Sequence, residues 1–428
     1  MKKIKTYIAI LLISATAANA AGCAAMPPAG VTAYAADLTA GVSPNRAKGR
    51  PADAAFIGSM ADFSTELFKR SVTDGENSLV SPLSVMLALA MTANGADGET
   101  LNRMEKLLGG TVPLNALNEY LYSYMQNLPS EHKSKLNIAN SIWFRGDGES
   151  LRVKADFLQR NADYYGAAAF SSAFDLQTVN DINAWVKTNT DGMIEKILSE
   201  ISDLDMLFLI NAVMFDAEWQ NVYYKHNVRE SVFTNIAGAE ETVDFMYSGE
   251  SIYLEDEMAT GFIKPYLNGG YSFAALLPNE GVSFESYIES LTGENFLQTI
   301  AGAREAIVEA SMPKFRYEYE ILMNDALIAM GIPDAFDPVA ADFGKMATTT
   351  AGNGNIYISR VLHKTFIAVD ELGTKAGAVT MVAMTAAGAM MVPDDIKVVN
   401  LDRPFIYAII DNSTNLPVFI GTLMTAVG

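Results

Sequence analysis

Glu371-Leu372-Gly373-Thr374-Lys375-Ala376-Gly377-Ala378 begins a stretch that reaches Val392 without a proline and carries one charge after Glu371, at Lys375. Buried helices are rich in leucine, yet no leucine lies between Gly373 and Val392, and the stretch has no amphipathic period. A membrane-spanning helix needs about 20 predominantly apolar residues, whereas glycine and threonine recur throughout this run. The composition favours a segment with two states, one extended and exposed and the other laid down as a β-strand.

The same stretch has the side-chain alternation of a strand that enters a sheet. If Thr374 faces inward, the side chains at every second position after it also face inward and stay small or short: Ala376, Ala378, Thr380 and Val382. Lys375 then lies on the solvated face. No proline removes a ladder hydrogen bond before Pro393, and Gly373 provides the backbone freedom that a hinge requires. We therefore predict a segment built to insert into a sheet.

The composition indicates an acidic globular protein. The 428 residues include 50 acidic and 30 basic side chains, for a formal charge of −20, and 50% of them are hydrophobic. This is enough apolar material for a large core, and it excludes intrinsic disorder. The negative charge argues against nucleic acid and anionic membrane surfaces as partners, because clustered lysine and arginine bind phosphates. One cysteine and three scattered histidines predict neither an internal disulfide nor a metal site, and we expect no cofactor.

Residues 1–22 have the pattern of a signal peptide. Lysines at positions 2, 3 and 5 precede an apolar run from Tyr7 to about Ala18, which is too short for a membrane span. Ala18-Asn19-Ala20 fits ordinary signal peptidase, whereas Ala20-Ala21-Gly22-Cys23 resembles a bacterial lipobox with alanine in place of the usual leucine. The lipoprotein interpretation is favoured, because the only cysteine of the chain would become the lipid anchor. Both interpretations place the protein outside the cytoplasm, either lipid-anchored at the cell surface or secreted.

The rest of the chain is predicted to form a tether and a single folded domain. Residues 23–53 are rich in alanine, glycine and proline without an apolar period, which is typical of a flexible spacer. In residues 54–428, helical and strand-like patterns do not alternate regularly, so the expected class is α+β. The patterns predict helices over 54–72, 81–91, 101–108, 114–126, 154–165 and 179–200, and strands over 136–144, 206–215, 271–277, 306–312, 356–369 and 405–410.

Standard catalytic motifs give little support for an enzyme. The chain lacks G-x-S-x-G, H-E-x-x-H and the glycine-rich phosphate-binding motifs. Ser130-Glu131-His132-Lys133 matches the S-x-x-K of penicillin-binding serine hydrolases, but the K-T-G motif is missing, since Phe366 follows Lys364-Thr365. We therefore expect no catalytic residues, and a serine hydrolase stays a minor alternative.

Six motifs in sequence order resemble those of the serpin family, and they span nearly the whole chain from about residue 55 to 427. The segment from Glu371 to Ala378 resembles the serpin hinge, which is Glu-x-Gly-Thr followed by small residues. The other five lie at residues 77–84 (NSLVSPLS), 182–194 (INAWV and TDGMI), 209–219 (LINAVMF and a tryptophan), 312–315 (MPKF) and 401–405 (LDRPF).

The resemblance implies the serpin fold, with three β-sheets, eight or nine helices and an exposed reactive-centre loop at about residues 371–395. It also implies suicide inhibition of a serine or cysteine protease. The protease attacks one loop bond and forms an acyl-enzyme, and the cleaved loop enters the central sheet as a new strand; serpin loop insertion is itself a standard example of strand addition. The intact molecule is then a metastable state that persists behind a kinetic barrier.

Site residues are assigned by the same resemblance, at positions that match the family's motifs. The hinge comprises Glu371, Gly373, Thr374, Ala376 and Ala378. The shutter, a polar cluster beneath the sheet where its strands part, comprises Ser81, Ser84, Asn211 and His363. The breach, where the loop first enters the sheet, contains Trp219 and Lys314, and Lys314 is expected to pair with Glu371.

The cleaved bond is assigned by counting along the family's usual loop length, which gives Ala387-Gly388. The loop is a few residues longer than in many relatives, so Met390-Met391 and Met391-Val392 are alternatives. All of these bonds present small or unbranched apolar residues, which suit elastase-like or subtilisin-like proteases and exclude trypsin-like enzymes. The predicted helix 114–126 has no lysine or arginine, so we expect no heparin cofactor.

Two alternatives from other functional classes remain. A non-inhibitory serpin-fold binding protein usually has bulky, charged or proline residues at the inward hinge positions, and these are absent here. If the resemblance is set aside, the acidic composition and the tether fit a solute-binding lipoprotein, which would bind a small ligand reversibly.

Overall fold

The computed structural model describes residues 35–130, 133–146, 151–350, 355–374 and 396–427. Across these ranges nine α-helices occur: α1 Ala54–Ser71, α2 Pro82–Ala93, α3 Gly98–Gly109, α4 Leu114–Asn127, α5 Ala155–Tyr165, α6 Leu176–Asn189, α7 Phe284–Ser290, α8 Gly293–Ala301 and α9 Asn324–Ala329. Short 3-10 helices lie at Lys225–Asn227, Leu267–Gly269 and Pro333–Phe336. None of the described helices is long and apolar enough to cross a membrane.

Local sequence signals position the helices that matter for the site. The Asp53 carboxylate accepts hydrogen bonds from the first N–H groups of α1. Pro82 lies in the first turn of α2. The N–H groups of a first turn have no partner within the helix, so the N–H group that proline lacks costs no hydrogen bond there. Asp175 and Thr178 form a capping box at the start of α6. Every residue of α2 is buried, which explains why its sequence has no polar face.

One sheet of seven strands contains β1 (Ala36–Asp37), β3 (Ser134–Arg145), β5 (Ala168–Ser172), β6 (Leu207–Glu218), β12 (Phe315–Leu322), β14 (Arg360–Val369) and β15 (Gly373–Thr374). Their order is β1-β5-β3-β6-β15-β14-β12, with additional direct pairing between β6 and β14. β6 is antiparallel to β3 and parallel to β14.

A second sheet has nine strands: β2 (Leu79–Val80), β7 (Val228–Thr234), β8 (Glu240–Glu255), β9 (Ala259–Pro265), β10 (Tyr271–Pro278), β11 (Arg304–Pro313), β16 (Ile396–Asn400), β17 (Phe405–Asp411) and β18 (Pro417–Leu423). Their order is β16-β11-β8-β9-β10-β17-β18-β2, and β7 pairs with β8. A small third sheet pairs β4 (Leu151–Val153) with β13 (Ala347–Thr349).

Both faces of β6 are buried, by different partners. Leu209 and Val213 point into the main core, which includes α1, α2 and the nine-stranded sheet. Phe208 and Ile210 point the other way and pack with Ile182 of α6. This alternation follows from the two-residue period of a strand. A strand that joins the sheet beside β6 therefore has one face toward the main core and the other toward the α6 side.

The predicted α+β class, with three sheets and eight or nine helices, is confirmed. The helix predicted over 179–200 is wrong in extent, since α6 ends at Asn189. Asp191 and Gly192 have φ values of 50° and 79°, and left-handed backbone ends a helix. The strands β7 to β9 were not predicted from the sequence. The long strand β8 is half exposed along much of its length, so its sequence lacks the apolar run that a fully buried strand shows.

The second half of the segment predicted as a flexible tether, residues 23–53, makes contacts with the folded domain. Ala36 and Asp37 form β1, which pairs with β5 at the edge of the seven-stranded sheet. The Leu38 N–H donates to the Ala169 carbonyl at 2.8 Å, and the Asn45 N–H donates to the Asp163 carboxylate at 2.6 Å. A sheet edge offers unpaired backbone groups to any nearby segment, whatever its composition. Residues 1–34, which include the predicted signal peptide, lie outside the described residues.

Removal of residues 1–50 is expected to lower the apparent thermal midpoint of the protein by several degrees. The truncation exposes the edge of β5 and removes several hydrogen bonds that residues 35–50 make to the domain, each worth about 1 kcal/mol. In a chain of this size each such loss lowers the midpoint by about one degree. Differential scanning calorimetry of the two chains at one scan rate measures the change. Equal midpoints would contradict a stabilising role for this segment.

Candidate functional site at the sheet opening

The two central strands of the seven-stranded sheet, β6 and β14, are paired over only part of their length. Their parallel ladder begins at Arg360 opposite Phe208 and ends at Lys364 opposite Ala212. Beyond Ala212, β6 makes no further direct pairing with β14 among the described residues. The sheet therefore parts at the end where β6 and β14 finish.

The chain that leaves β14 turns back and enters this opening as β15. Gly373 lies opposite Glu218 and Thr374 lies opposite Ala217, both on β6. Thr374 also pairs with Val369 of β14. The first two residues of a strand are thus already inserted between β6 and β14.

Three N–H groups hold the carbonyls of the residues just before β15. The backbone N–H of Trp219 donates to the Leu372 carbonyl at 2.8 Å, and the backbone N–H of Tyr223 donates to the Glu371 carbonyl at 2.9 Å. The Trp219 indole N–H donates to the Asp370 carbonyl at 2.9 Å. Residues 370–372 are therefore anchored to the segment 219–223 that follows β6.

The two residues of β15 are fixed by close packing. A Cβ atom at Gly373 would lie 2.1 Å from the Ala217 carbonyl oxygen, so only glycine fits at this position. The sequence predicted a hinge glycine for its backbone freedom, whereas the structure requires glycine for this close approach. Thr374 is buried, and its hydroxyl is hydrogen-bonded to the Tyr266 hydroxyl at 2.5 Å. The Tyr266 ring stacks on Trp219 with centroids 4.5 Å apart.

The ion pair expected between Lys314 and Glu371 is present at the surface of the breach. Lys314 Nζ lies 2.8 Å from Glu371 Oε2 and 3.7 Å from Asp244 Oδ2. Partial burial opposes ionisation of Glu371, but its hydrogen bonds, that from Lys314 foremost, outweigh burial and hold its pKa below the usual value. Because both side chains are partly exposed, the pair contributes little to stability by itself.

The four residues assigned to the shutter lie together where the ladder between β6 and β14 is intact. His363 Nδ1 is 2.5 Å from the Asn211 side-chain oxygen, directly across the two strands. The Ser81 backbone N–H donates to His363 Nε2 at 3.2 Å, and Asn211 Nδ2 donates to the Ser84 hydroxyl. These contacts assign the neutral imidazole with its proton on Nδ1.

Sequence reasoning missed Asn140 of β3, which completes this cluster. Its side-chain oxygen accepts a hydrogen bond from Asn211 Nδ2 at 2.5 Å, and its amide nitrogen donates to the Ser84 carbonyl at 3.2 Å. One asparagine in a polar-apolar alternation carries no distinguishing signal. Ser81 adds a further feature, because its hydroxyl oxygen is buried and has no hydrogen-bond partner among the described residues.

Burial of His363 keeps its imidazole neutral. The side chain is completely buried, and desolvation lowers its pKa from the ordinary 6.5 to about 3. A protonated imidazole could not accept the Ser81 N–H, so charging this residue would remove a contact as well as place a charge in the core.

Several predicted site residues lie outside the described residues. They are the hinge residues Ala376 and Ala378, the reactive-bond candidates Ala387, Gly388, Met390 and Met391, and the lipid-anchor candidate Cys23. Tyr223 and Tyr266, which hold the hinge, were not predicted from the sequence. Among the described residues, no group of three or more histidine, cysteine, aspartate or glutamate side chains could hold a metal ion.

The family comparison matches nearly all of the folded chain. The sequence model described as Serpin (serine protease inhibitor) matches residues 58–426. An uncharacterized serpin-like protein of Thermococcus kodakarensis is 30% identical over 379 residues, which cover 86% of this chain and 85% of that protein. The leukocyte elastase inhibitor of Xenopus tropicalis is 29% identical over 382 residues, covering 84% of this chain and 96% of that protein.

Solved structures match in two conformational states of one protein. The thermophilic serpin Tengpin in its native state is 55% identical, covers 91% of this chain and 99% of its own, and superimposes with a TM-score of 0.87. Tengpin in its latent state covers 88% of this chain and 99% of its own, at the same identity and a TM-score of 0.78. The described structure is therefore more similar to the native than to the latent state.

The stability of the protein is expected to decrease as the pH is lowered, because the pKa of His363 differs between the native and the unfolded state. In the unfolded chain this residue binds a proton below about pH 6.5. In the native state it stays neutral until the pH reaches about 3. The contribution is thus fully present above pH 6.5 and is lost progressively as pH falls toward 3, by up to about 1.4 kcal/mol per pH unit.

His363→Gln removes this titration and isolates the effect. Between pH 7 and pH 5 the stability of the natural chain, measured by denaturant unfolding, should fall by about 2 kcal/mol more than that of the variant. Parallel pH dependences for the two chains would show that His363 does not remain neutral in the native state.

Proposed function

Because the chain belongs to the serpin family, we propose that it is a suicide-type inhibitor of serine proteases that traps the acyl-enzyme by loop insertion. Members of this family are mostly protease inhibitors rather than enzymes. The observation that carries the proposal is the opening between β6 and β14, with Gly373 and Thr374 already paired in its mouth. The residues that follow contain no proline before Pro393, and alanine occupies positions 376 and 378, so strand formation can continue from this start.

The register of β15 determines where the inserted residues would lie. If this register continued along both neighbouring strands after insertion, Thr380 would lie opposite Asn211 and opposite His363. In the inserted strand, Ala376 and Ala378 would share the face of Thr374 and point toward the main core, where small side chains are required. The outward position of Lys375, on the other face, avoids burying its charge in that core.

Insertion requires the lower part of the sheet to open. β14 must separate from β6 along residues 360–364, where the two strands are paired. The hydrogen bond between His363 and Asn211 must then break, because an inserted strand adds about 4.8 Å between its neighbours. A threonine hydroxyl at position 380 would reach the same two side chains and replace that bond. The closed cluster of His363 and Asn211 would thus form a barrier to insertion. Once that barrier is crossed, Thr380 of the inserted strand would offer both side chains a new hydrogen-bond partner.

The target class follows from the loop sequence. The Ala387-Gly388 bond, with Met390-Met391 and Met391-Val392 as alternatives, presents small or unbranched apolar residues to the protease. Such residues fit elastase-like and subtilisin-like pockets and lack the cation that a trypsin-like pocket binds. The name of the Xenopus tropicalis relative, leukocyte elastase inhibitor, agrees with this class. We expect neither nucleic acid nor heparin as a partner, since the chain is acidic and α4 has no basic residue.

The proposed place of action is outside the cytoplasm. A signal peptide at residues 1–22 and a lipid anchor on Cys23 would hold the inhibitor at the cell surface, and cleavage after Ala20 would instead release it. Metabolic labelling with a palmitate analogue, compared between the natural chain and Cys23→Ser, distinguishes the two.

Incubation with pancreatic elastase or subtilisin is expected to give an SDS-resistant adduct on a denaturing gel, because the acyl-enzyme is trapped before hydrolysis. Trypsin serves as the matched negative control. Mass spectrometry of the released C-terminal peptide locates the cleaved bond. Complete cleavage of the loop by both enzymes without any adduct would contradict the proposal.

Thr374→Arg is expected to convert the inhibitor into a substrate. The guanidinium would be buried in the core without a partner, and each 1.4 kcal/mol added to the insertion barrier slows insertion about tenfold. The number of inhibitor molecules consumed per protease inactivated should therefore rise by about tenfold or more. Lys375→Arg, which keeps a cation at the neighbouring outward position, should leave that ratio unchanged. An unchanged ratio in Thr374→Arg would contradict the proposal that insertion continues from the buried start of β15.

A further inference from the structure

A buried ion pair lies beneath the hinge contacts. None of the steps described under the proposed function involves it. Lys264 of β9 and Glu250 of β8 are separated by 2.7 Å between Nζ and Oε1, and their side chains are 2% and 6% exposed. The Ser248 hydroxyl donates to the same carboxylate oxygen at 2.6 Å. Desolvation lowers the pKa of Lys264, and the charge of Glu250 opposes that effect.

The ammonium group of this pair also supports two aromatic side chains. Lys264 Nζ lies 4.3 Å from the centroid of the Tyr223 ring and 5.6 Å from the Trp219 ring. Both distances are within the range of cation–π attraction, which is strongest at desolvated sites. The segment 219–223 is tied to the same strand by its backbone, since the Gln220 N–H donates to the Pro265 carbonyl at 3.0 Å.

Trp219 and Tyr223 are the residues that grip the hinge. Their N–H groups bind the carbonyls of residues 370–372, and Trp219 stacks on Tyr266, whose hydroxyl contacts Thr374. The buried pair thus touches both aromatic residues that hold the hinge, and no described contact joins it to the hinge directly.

We propose that Lys264 and Glu250 are positioning residues that hold the segment 219–223 in place and so keep the hinge anchored at the mouth of the sheet. A hydrophobic pair of similar size would serve packing as well as an ion pair does. The Lys264 ammonium instead contacts the Glu250 carboxylate and two ring faces at once. These contacts depend on direction, so they fix the positions of Tyr223 and Trp219.

The anchoring matters because it supplies the start of the inserted strand. Closing a chain segment onto a sheet is opposed by conformational entropy at its first contacts, and here Gly373 and Thr374 have already made them. This part of the argument rests on the proposed inhibitory function. A loosened hinge would start insertion later, so more acyl-enzyme would be hydrolysed before it is trapped.

Hydrogen exchange of the intact protein tests the positioning role without any protease. The amides of Trp219 and Tyr223 donate to hinge carbonyls, so a peptide covering residues 219–223 reports the contact directly by mass spectrometry. Lys264→Met should accelerate its exchange by about tenfold or more. Glu250→Gln, which preserves shape, should give a smaller effect in the same direction and carries the test if the first variant fails to fold.

Two controls separate positioning from general destabilisation. Arg304→Met removes an exposed ion pair of β8 and β11 (2.9 Å to Glu255) and should leave the exchange of residues 219–223 unchanged. Leu108→Ala weakens the core in α3 and should lower the thermal midpoint without a selective change at 219–223. Equal exchange in the natural chain and Glu250→Gln, or an acceleration in Leu108→Ala of the same size, would overturn the proposal.

The stoichiometry of inhibition of elastase provides the functional readout. It should rise about tenfold in Lys264→Met and stay unchanged in Arg304→Met. If the natural chain forms no SDS-resistant adduct, the inhibitory function fails, and the exchange measurement still decides whether the ion pair positions the hinge.

Discussion

The incomplete ladder between β6 and β14 is the constraint on which the other features of this protein depend. The two strands pair from Arg360 to Lys364 and then part. Among the described residues, only the two residues of β15 lie between them in this opening. Each backbone group along such an opening gains a partner when a further strand is added. In the proposed mechanism, the chain's own loop supplies that strand after cleavage, and the free energy of the sheet falls.

Two buried polar groups act on this opening from opposite ends. At the shutter, a neutral network built around His363 and Asn211 bridges the strands and opposes their separation. At the breach, the charged pair of Lys264 and Glu250 underlies the aromatic side chains that grip the hinge. In the proposed mechanism, the first network resists opening of the sheet and the second keeps the entering segment in register.

The sequence predicted the hinge because its chemistry is local: small residues, glycine at position 373 and the absence of proline all belong to a single continuous stretch. The shutter residues could be assigned only through a family resemblance, because Ser81, Asn211 and His363 lie far apart in the chain. Asn140 and the Lys264–Glu250 pair had no sequence signal, since their roles arise from which strands become neighbours. Residues 35–53 were interpreted as a spacer from composition, whereas Ala36 and Asp37 pair with the free edge of β5 and Asn45 binds Asp163 of α5.

The most direct test of the central claim is the thermal midpoint of the protein before and after a single cut within residues 375–395. A sheet that lacks a strand and gains it on cleavage should melt at a clearly higher temperature once it is cut, because the inserted strand completes the ladder between β6 and β14. Cut and intact protein that melt at the same temperature would contradict the account.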